Sequence, residues 1–323
     1  MAENLLEIKN LKKYFSTPRG SLHAVDNVSL NIEKGKTVGV VGESGCGKST
    51  LGKTLMRLHE PTSGEIIFKG EDIASMPIKE FKKKYRADIQ MIFQDPYASL
   101  DPRMNVLQLV EEPIKTNNKG MSKADVTAKA KEMMELVGLA KRLEGAYPHE
   151  LDGGRRQRIG IARALSLNPE FIVCDEPVSA LDVSIQAQIL NLLQDLQQER
   201  GLTYMFITHD MSVVKHISDD IVVMYLGQMI EKCPADEIFK NTIHPYSQAL
   251  LSAIPIPDVH VKHERMVLKG ELTSPIDPKP CCRFAARCPY ATEQCFMEEP
   301  KLREMKPNHI VACHHAEDFI NDK

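Results

Sequence analysis

The chain has 323 residues, 42% hydrophobic and 26% charged, which is ordinary for a globular protein and long enough for one large domain or two. Its 41 basic and 44 acidic residues give a net charge of −3, which does not favour a nucleic-acid-binding protein. No apolar segment approaches the roughly 20 residues that span a bilayer, and the N-terminus lacks a secretory signal pattern. We therefore expect a cytosolic protein whose role at a membrane, where it has one, is peripheral.

The first 235 residues alternate short apolar runs with helical patterns. The pattern SIQAQILNLLQDLQQE (184–199) predicts an amphipathic helix, and glycines at 64 and 227 predict hairpins. Four runs predict buried strands: TVGVVG (37–42), IQMIFQ (89–94), FIVCDE (171–176) and TYMFITH (203–209). This alternation predicts an α/β fold with a mainly parallel sheet.

From about Ile254 the composition changes. Prolines recur and five of the eight cysteines fall between Cys281 and Cys313. Such a segment has little apolar core, so a metal centre would help to stabilise it. We expect a small, loop-rich extension.

The segment GESGCGKST fits the phosphate-binding pattern G-x-x-x-x-G-K-[ST] and stands between a predicted strand and a predicted helix. Its glycines allow backbone N–H groups to turn toward phosphate oxygens, and the helix N-terminus adds its dipole. Lys48 is expected to reach the β- and γ-phosphates and Ser49 to bind Mg²⁺. The predicted ATP-binding residues are Gly42, Glu43, Ser44, Gly45, Cys46, Gly47, Lys48, Ser49 and Thr50.

Polar residues end three other predicted strands. Asp175 is placed to hold Mg²⁺, and Glu176 to polarise the attacking water; the alternative is a pair of capping acids. Gln94 is placed to bind Mg²⁺ or order water, and His209 to contact the γ-phosphate. The alternative for His209 is a structural role.

The order of these motifs, with ELDGGRRQR and SALD between them, resembles the ATPase subunit of an ABC transporter over about residues 5–235. The resemblance implies an ATP- and Mg²⁺-dependent P-loop domain at 1–240, with a helical subdomain at about 96–165, and an extension at 241–323. It also implies a head-to-tail pair, in which the signature of one chain caps the ATP of the other. The residues that would face the partner's ATP are Asp152, Gly153, Gly154, Arg155 and, in the D-loop, Asp182.

The aromatic residue that stacks on adenine in this family matches the pair Tyr14 and Phe15. Counting from Asn10 favours Phe15. Both are retained as candidates for the adenine contact.

The C-terminal segments HPYSQALLSAIPIPD (244–258) and PCCRFAARCPYATEQC…VACH (280–314) closely resemble the tail of ATPases from dipeptide and oligopeptide importers, and those of nickel importers look similar. QDPYASLDPR (94–103) and RIGIARAL (158–165) resemble the F-type subunit. The resemblance implies a D-type ATPase as the paired subunit, two membrane permeases, an extracytoplasmic peptide-binding protein and a place at the cytoplasmic face of the membrane. The segment after Gln94 would receive a permease helix.

Four cysteines have the spacing C-x5-C-x6-C-x17-C: Cys282, Cys288, Cys295 and Cys313. Zinc ribbons normally show paired C-x2-C knuckles, so zinc fits the long gaps poorly. Four thiolates also suit a [4Fe–4S] cluster, and the family's tail carries one with this spacing. We expect a [4Fe–4S] cluster of structural or regulatory role, with Zn²⁺ as the alternative and Cys281 as a bystander.

The signature departs from the family pattern L-S-G-G-Q, because Asp152 replaces Ser and Arg155 replaces Gln. A serine hydroxyl can donate to a phosphate, whereas an ionised carboxylate only accepts. Two interpretations stay open: Asp152 weakens the ATP site that it caps, or it acts as a helix N-cap neutralised by Arg155. We predict an asymmetric pair that hydrolyses ATP mainly at the site of Lys48.

Two other functions are compatible with a P-loop and a cysteine-rich extension. A soluble ABC ATPase of translation or DNA repair would usually join two ATPase modules or carry long coiled coils, and this sequence has neither. An iron–sulfur redox protein with a nucleotide switch would not need the importer tail. Both are less favoured than an importer motor. Peptides are the favoured cargo of that motor, and nickel or another small solute is the alternative.

Overall fold

The structure is a computed structural model that describes residues 3–254, 266–268, 270 and 273–321. Its strands are β1 (Asn4–Thr17), β2 (Gly20–Glu33), β3 (Thr37–Val41), β4 (Ser63–Phe68), β5 (Glu71–Asp72), β6 (Ile89–Ile92), β7 (Phe171–Asp175), β8 (Thr203–Ile207), β9 (Asp220–Tyr225), β10 (Gln228–Pro234), β11 (Arg303–Lys306) and β12 (His309–Val311). Its helices are α1 (Lys48–Leu55), α2 (Ile78–Lys84), α3 (Val106–Asn117), α4 (Lys123–Leu136), α5 (Gly153–Leu165), α6 (Val183–Arg200), α7 (Met211–Ile217), α8 (Ala235–Asn241), α9 (Pro245–Ser252), α10 (Glu293–Met297) and α11 (Asp318–Asn321). The end of the tail motif, residues 255–258, lies outside the described residues.

The chain forms two compact units. Unit 1 contains Glu33–Lys36 and Met76–Phe206, and unit 2 contains Asn4–Ile32, Thr37–Ser75 and the described residues from Ile207 onward. Within the described ranges, none of the helices combines the length and the apolar character that a membrane crossing requires. The domain boundary near residue 240 stays a prediction.

The sheet strands of unit 1 are largely buried, and β6 and β7 are parallel. β6 pairs with β7 from Ile89↔Phe171 to Ile92↔Cys174, and β8 neighbours β7. Every residue of β7 and β8 is buried, which is why these strands read as continuous apolar runs in the sequence. The strands and the α/β character predicted for this region are confirmed.

Three helices of unit 1 pack against one another: α3, α4 and α5. Their apolar side chains, such as Val110, Ala130 and Ile159, are fully buried. Glu111 is buried among them. Its negative charge is compensated, because Lys115 Nζ and Thr127 Oγ1 both donate to its carboxylate at 2.6 Å. The desolvation of this carboxyl is outweighed by those donors, which lower its pKa. A buried charge with two donors costs little stability.

Unit 2 carries two groups of strands. An antiparallel sheet has the order β2-β1-β4-β5, and a second group has the order β11-β12-β10-β9-β3. Within the second group β3 and β9 are parallel, from Val38↔Asp220 to Val41↔Val223. The strand β3 is completely buried and leads directly into the predicted phosphate-binding loop.

Of the two hairpins predicted at glycines, the one at Gly227 is confirmed and the one at Gly64 is wrong. The turn at Leu226–Gly227 joins β9 to β10, and both residues have positive φ (43° and 85°), as a two-residue hairpin requires. The hairpin expected at Gly64 is wrong, because Gly64 lies inside β4. A Cβ there would stand 2.5 Å from the Asn10 carbonyl oxygen of β1. This glycine allows two backbones to approach closely, and its neighbours make no turn there.

The extension belongs to unit 2. Its strand β12 pairs antiparallel with β10 through Glu231↔Val311, and a small core forms around Ile243, Val311 and Ala316. The buried Glu231 carboxylate accepts hydrogen bonds from the Ile243 N–H (2.8 Å) and from His309 Nε2 (2.8 Å). Strand pairing and this polar contact fix the extension to β10.

Candidate functional site

Two glycines give the phosphate-binding loop its shape, because a larger side chain would not fit at either position. Gly42 and Gly47 have φ of 152° and 105°. A Cβ at Gly42 would lie 2.3 Å from the Met224 carbonyl oxygen, and one at Gly47 would lie 2.1 Å from the Ala24 carbonyl oxygen. The loop therefore packs closely against the backbone at Ala24 and Met224, which belong to the same unit.

The first turn of α1 is free of acidic residues, and no side chain caps its N-terminus. Such a helix end, with its backbone N–H groups and the positive end of its dipole, attracts an anion. Lys48 is 4% exposed, and its Nζ donates to the carbonyl oxygens of Gly42 (2.7 Å) and Glu43 (3.0 Å). The loop itself therefore holds the Lys48 ammonium at this helix end.

The other predicted loop residues differ in exposure. Ser44 and Gly45 are exposed at the outer bend, Ser49 and Thr50 are half-buried, and Cys46 is buried. The Cys46 thiol stays protonated at neutral pH, because burial raises its pKa. The exposed bend can thus approach a ligand, while Cys46 packs beneath it.

Glu43 is bound by two residues of the extension. Its N–H donates to Tyr246 Oη at 2.8 Å, and its carboxylate accepts two hydrogen bonds from Arg287, at 2.6 and 3.0 Å. Neither partner was predicted from the sequence. The signal for Arg287 was the pair of arginines inside CRFAARC, a segment interpreted only as a cysteine motif.

A second polar pair lies at the carboxyl ends of β6 and β7 in unit 1. Gln94 Nε2 donates to Glu176 Oε2 at 2.9 Å, and Asp175, the last residue of β7, is 2% exposed. Glu176 has φ of 47°, a left-handed conformation that is uncommon for a residue with a side chain. This observed strain marks Glu176 as a functional candidate.

The signature segment starts α5, as predicted. Asp152 is the N-cap: its Oδ1 accepts the Arg155 N–H at 2.8 Å, and its Oδ2 lies 3.3 Å from Arg155 Nη1. Cβ atoms at Gly153 and Gly154 would approach Leu181 and Ile185 to 2.9 and 2.7 Å. The glycines therefore let α5 begin close to the D-loop segment.

The D-loop residue Asp182 is the N-cap position of α6, but its side chain makes no capping hydrogen bond. The next residue, Val183, is 81% exposed. An exposed polar and apolar pair at a helix start is the kind of surface that a partner would cover.

Tyr14 and Phe15 lie on opposite faces of β1 and differ in their surroundings. Tyr14 stacks on His23 with ring centroids 3.8 Å apart, and its hydroxyl donates to Asp26. Phe15 is half-buried, with the edge of His59 at 5.3 Å. Lys13 Nζ also lies 4.7 Å from the Phe15 ring centroid, so both rings have neighbours. The Tyr14 ring is stacked face to face and its hydroxyl is bonded, which favours Phe15 for stacking on a base.

The predicted nucleotide residues are divided between the units. Unit 1 contains Gln94, Asp175, Glu176, the signature and Asp182, whereas unit 2 contains the phosphate-binding loop, Tyr14, Phe15 and His209. His209 follows β8 and is exposed.

The four cysteines of the predicted cluster come together. Cys282, Cys288, Cys295 and Cys313 line one small cavity, and Cys281 does not. Burial raises the pKa of Cys282 to about 12 and that of Cys313 to about 11. In the part of the chain that the structure describes, no group of three or more His, Cys, Asp or Glu side chains has the arrangement that holds a metal ion.

Comparison with known proteins agrees with this geometry. The family model described as "ABC transporter" matches residues 25–179, and the one described as "Oligopeptide/dipeptide transporter, C-terminal region" matches residues 230–295. The oligopeptide transport ATP-binding protein AppF of Bacillus subtilis is 51% identical over 321 residues, which cover 97% of each chain. The oligopeptide transport ATP-binding protein OppF of Salmonella typhimurium is 50% identical, over 95% of this chain and 92% of its own.

Two solved structures share the ATPase fold. The dimeric ATP-binding cassette MJ0796 bound to ADP and Pi is 32% identical with a TM-score of 0.66, covering 71% of this chain and 98% of its own. CbiO1 of Clostridium perfringens, part of the ABC transporter complex CbiONQ, is 27% identical with a TM-score of 0.65, covering 75% of this chain and 93% of its own. The chain therefore belongs to the ABC transporter family, as an ATPase of the oligopeptide transport ATP-binding group.

Proposed function

We propose that this chain is the motor subunit of an importer for di- and oligopeptides. The observation that carries this proposal is the combination, in one chain, of an ATP-binding cassette and a tail matching the oligopeptide/dipeptide transporter model. The proposed assembly contains a D-type ATPase paired head to tail with this chain, two membrane permeases and an extracytoplasmic peptide-binding protein. This chain lies at the cytoplasmic face of the membrane, as a peripheral subunit.

In this function the P-loop residues bind the ATP phosphates. Lys48 neutralises the β- and γ-phosphates, and Ser49 and Asp175 hold Mg²⁺ together with Gln94. Glu176 orients and polarises the attacking water, and His209 contacts the γ-phosphate. The Gln94–Glu176 hydrogen bond of 2.9 Å supports this assignment, because it holds the Glu176 carboxylate in place before a water arrives. ATP binding closes the pair of ATPases, and hydrolysis reopens it.

The permease contact is proposed at the segment after Gln94. Phe93 and Tyr97 are 42% and 55% exposed. A nearby cleft of about 100 Å³ is lined by Met91, Pro96 and Ala164 among others. An exposed aromatic pair beside an apolar cleft suits the docking of a partner helix.

Association with membrane partners tests the importer assignment. The tagged full-length chain, purified from detergent-extracted membranes, is expected to bring down permeases and a second ATPase in fixed proportion. A stable complex without permeases, whose ATPase activity responds to RNA or DNA, would instead indicate a soluble ABC ATPase of translation or repair.

The proposed cofactor of the extension is a [4Fe–4S] cluster on Cys282, Cys288, Cys295 and Cys313. Its support is the donor set, since these four thiols line one cavity. These four residues would hold the cluster through their thiolates, one for each iron.

Iron and sulfide analysis tests this cofactor. Anaerobically purified protein is expected to contain about four irons and four acid-labile sulfides per chain, and Cys295→Ser is expected to lose them. The matched control is Cys281→Ser, which should retain the iron because Cys281 stands outside the cavity. Stoichiometric zinc without iron would contradict the proposal.

The signature substitution is proposed to make the ATPase pair asymmetric. Asp152 caps its own helix and pairs with Arg155, so its carboxylate offers no hydrogen to a phosphate. Hydrolysis then occurs mainly at the site formed by Lys48 of this chain and the signature of the partner. The site that Asp152 caps, which belongs to the partner, is the slower one.

Restoring the family residues tests this asymmetry. Asp152→Ser with Arg155→Gln is expected to raise hydrolysis at the partner's site at least about tenfold, since a hydrogen bond to a charged group contributes about 1.5–3 kcal/mol. The measurement is made in the assembled pair, with Lys48→Ala silencing this chain's own site in both samples. If the rate is unchanged, the substitution is neutral and Asp152 is only a helix cap.

A further inference from the structure

The second residue of the P-loop carries a charge that the extension neutralises. Glu43 and Arg287 form a bidentate ion pair, with oxygen–nitrogen distances of 2.6 and 3.0 Å. The Arg287 side chain is 10% exposed and that of Glu43 is 31% exposed. Paired hydrogen bonds in this planar geometry fix direction as well as charge. The Glu43 carboxylate is therefore turned toward the extension.

Buried aromatic residues hold Arg287 and the loop in this arrangement. The guanidinium lies 5.9 Å from the ring centroid of Tyr225. Tyr225 in turn packs edge-to-face on Tyr246, whose hydroxyl accepts the Glu43 N–H. Phe284 completes this cluster, with its ring 5.3 Å from Tyr225 and 5.5 Å from Tyr246. Because these rings are buried, the partner of Glu43 is preorganised.

The same residue touches the lysine of the P-loop. The Glu43 carbonyl oxygen accepts a hydrogen bond from Lys48 Nζ at 3.0 Å. Without Arg287, the Glu43 carboxylate would be an uncompensated negative charge on the P-loop, and it would repel a triphosphate bound there. We propose that Arg287 is a positioning residue for ATP binding, which holds the Glu43 carboxylate away from the phosphates and leaves Lys48 available to them. This inference rests on the P-loop assignment proposed above.

Equilibrium ATP binding to the full-length chain tests the inference. Arg287→Met is expected to weaken ATP binding about tenfold, as one uncompensated charge near the phosphates would do, and to leave the binding of adenosine unchanged. Adding Glu43→Gln to Arg287→Met removes the freed charge and is expected to restore ATP affinity to within about twofold of the parent. This rescue distinguishes charge positioning from a loss of packing.

Arg303→Met is the matched control. Arg303 also makes a bidentate ion pair in the extension, with Glu317 at 2.6 and 3.1 Å, but it makes none with the P-loop. The ATP affinity of Arg303→Met is expected to equal that of the parent. Iron content is measured for every variant, because Arg287 adjoins Cys288. If Arg287→Met does not fold, Arg287→Gln replaces it. This variant also removes the charge, and it is expected to show the same loss of about tenfold in ATP affinity and the same rescue by Glu43→Gln.

Two results would overturn the inference. One is parent-like ATP affinity in Arg287→Met, and the other is a loss that Glu43→Gln does not restore. Lys48→Ala separates this failure from that of the P-loop assignment. If Lys48→Ala binds ATP as the parent does, the P-loop assignment fails; if it loses ATP while Arg287→Met keeps it, only the role of Arg287 fails.

Discussion

Glu176→Gln is expected to bind ATP with parent-like affinity and to lose ATP turnover at its own site about a thousandfold, the range that a general base contributes. The amide keeps the size of the side chain and can still bond Gln94, but it cannot polarise water as a carboxylate does. The left-handed backbone at this position, with φ of 47°, imposes the same strain on Gln as on Glu. The fold should therefore be unaffected.

The measurement is steady-state phosphate release together with the amount of ATP retained after rapid desalting. In the assembled pair, the variant is expected to trap ATP in a closed state. The matched control is Glu170→Gln, the same change at the amino end of β7, where Glu170 pairs with Lys34 at 3.7 Å. Near-normal hydrolysis in Glu176→Gln would remove Glu176 from the catalytic role.

Lys48→Ala is expected to weaken ATP binding itself by at least about a hundredfold. Lys48 is proposed to bond two phosphates, and each such charged hydrogen bond contributes about 1.5–3 kcal/mol. The loss should be larger for ATP than for AMP, which lacks the β- and γ-phosphates. Titration of both nucleotides against the full-length chain measures this difference.

Lys53→Ala is the control for charge and helix content, because Lys53 stands in the last turn of the same helix, α1. It is expected to bind ATP as the parent does. Thermal unfolding of both variants shows whether the fold persists, since Lys48→Ala leaves the carbonyls of Gly42 and Glu43 without this donor. A folded Lys48→Ala variant with parent-like ATP affinity would contradict the assignment.

The buried parallel strands were the part of the fold most accessible from sequence. β3, β7 and β8 are almost entirely apolar, because every residue of these strands is buried. The helix α6 was predicted to within one residue at each end, from its periodicity. The strands β1 and β2 were not predicted, because their exposed faces bring charged residues into the pattern and Asn10 introduces a positive φ within β1.

For the site, the motifs gave the identities of the residues, and the structure gave their partners. The capping role of Asp152 followed from residue type, since a short acid before a helix is a known N-cap. The contacts of Glu43 could not be predicted from residue type, because Tyr246 and Arg287 are 203 and 244 residues away in the sequence. Long-range pairing of this kind leaves no periodic signal in a single chain.

Peptide uptake by the reconstituted importer tests whether ATP hydrolysis by this chain drives peptide import. The chain is assembled with its permeases and second ATPase in proteoliposomes, with ATP on the side of the ATPases and a labelled oligopeptide with the peptide-binding protein on the other side. The expected result is ATP-dependent accumulation of the peptide, which Glu176→Gln abolishes and Glu170→Gln does not. Peptide accumulation that is the same with Glu176→Gln, or that needs no ATP, would contradict it.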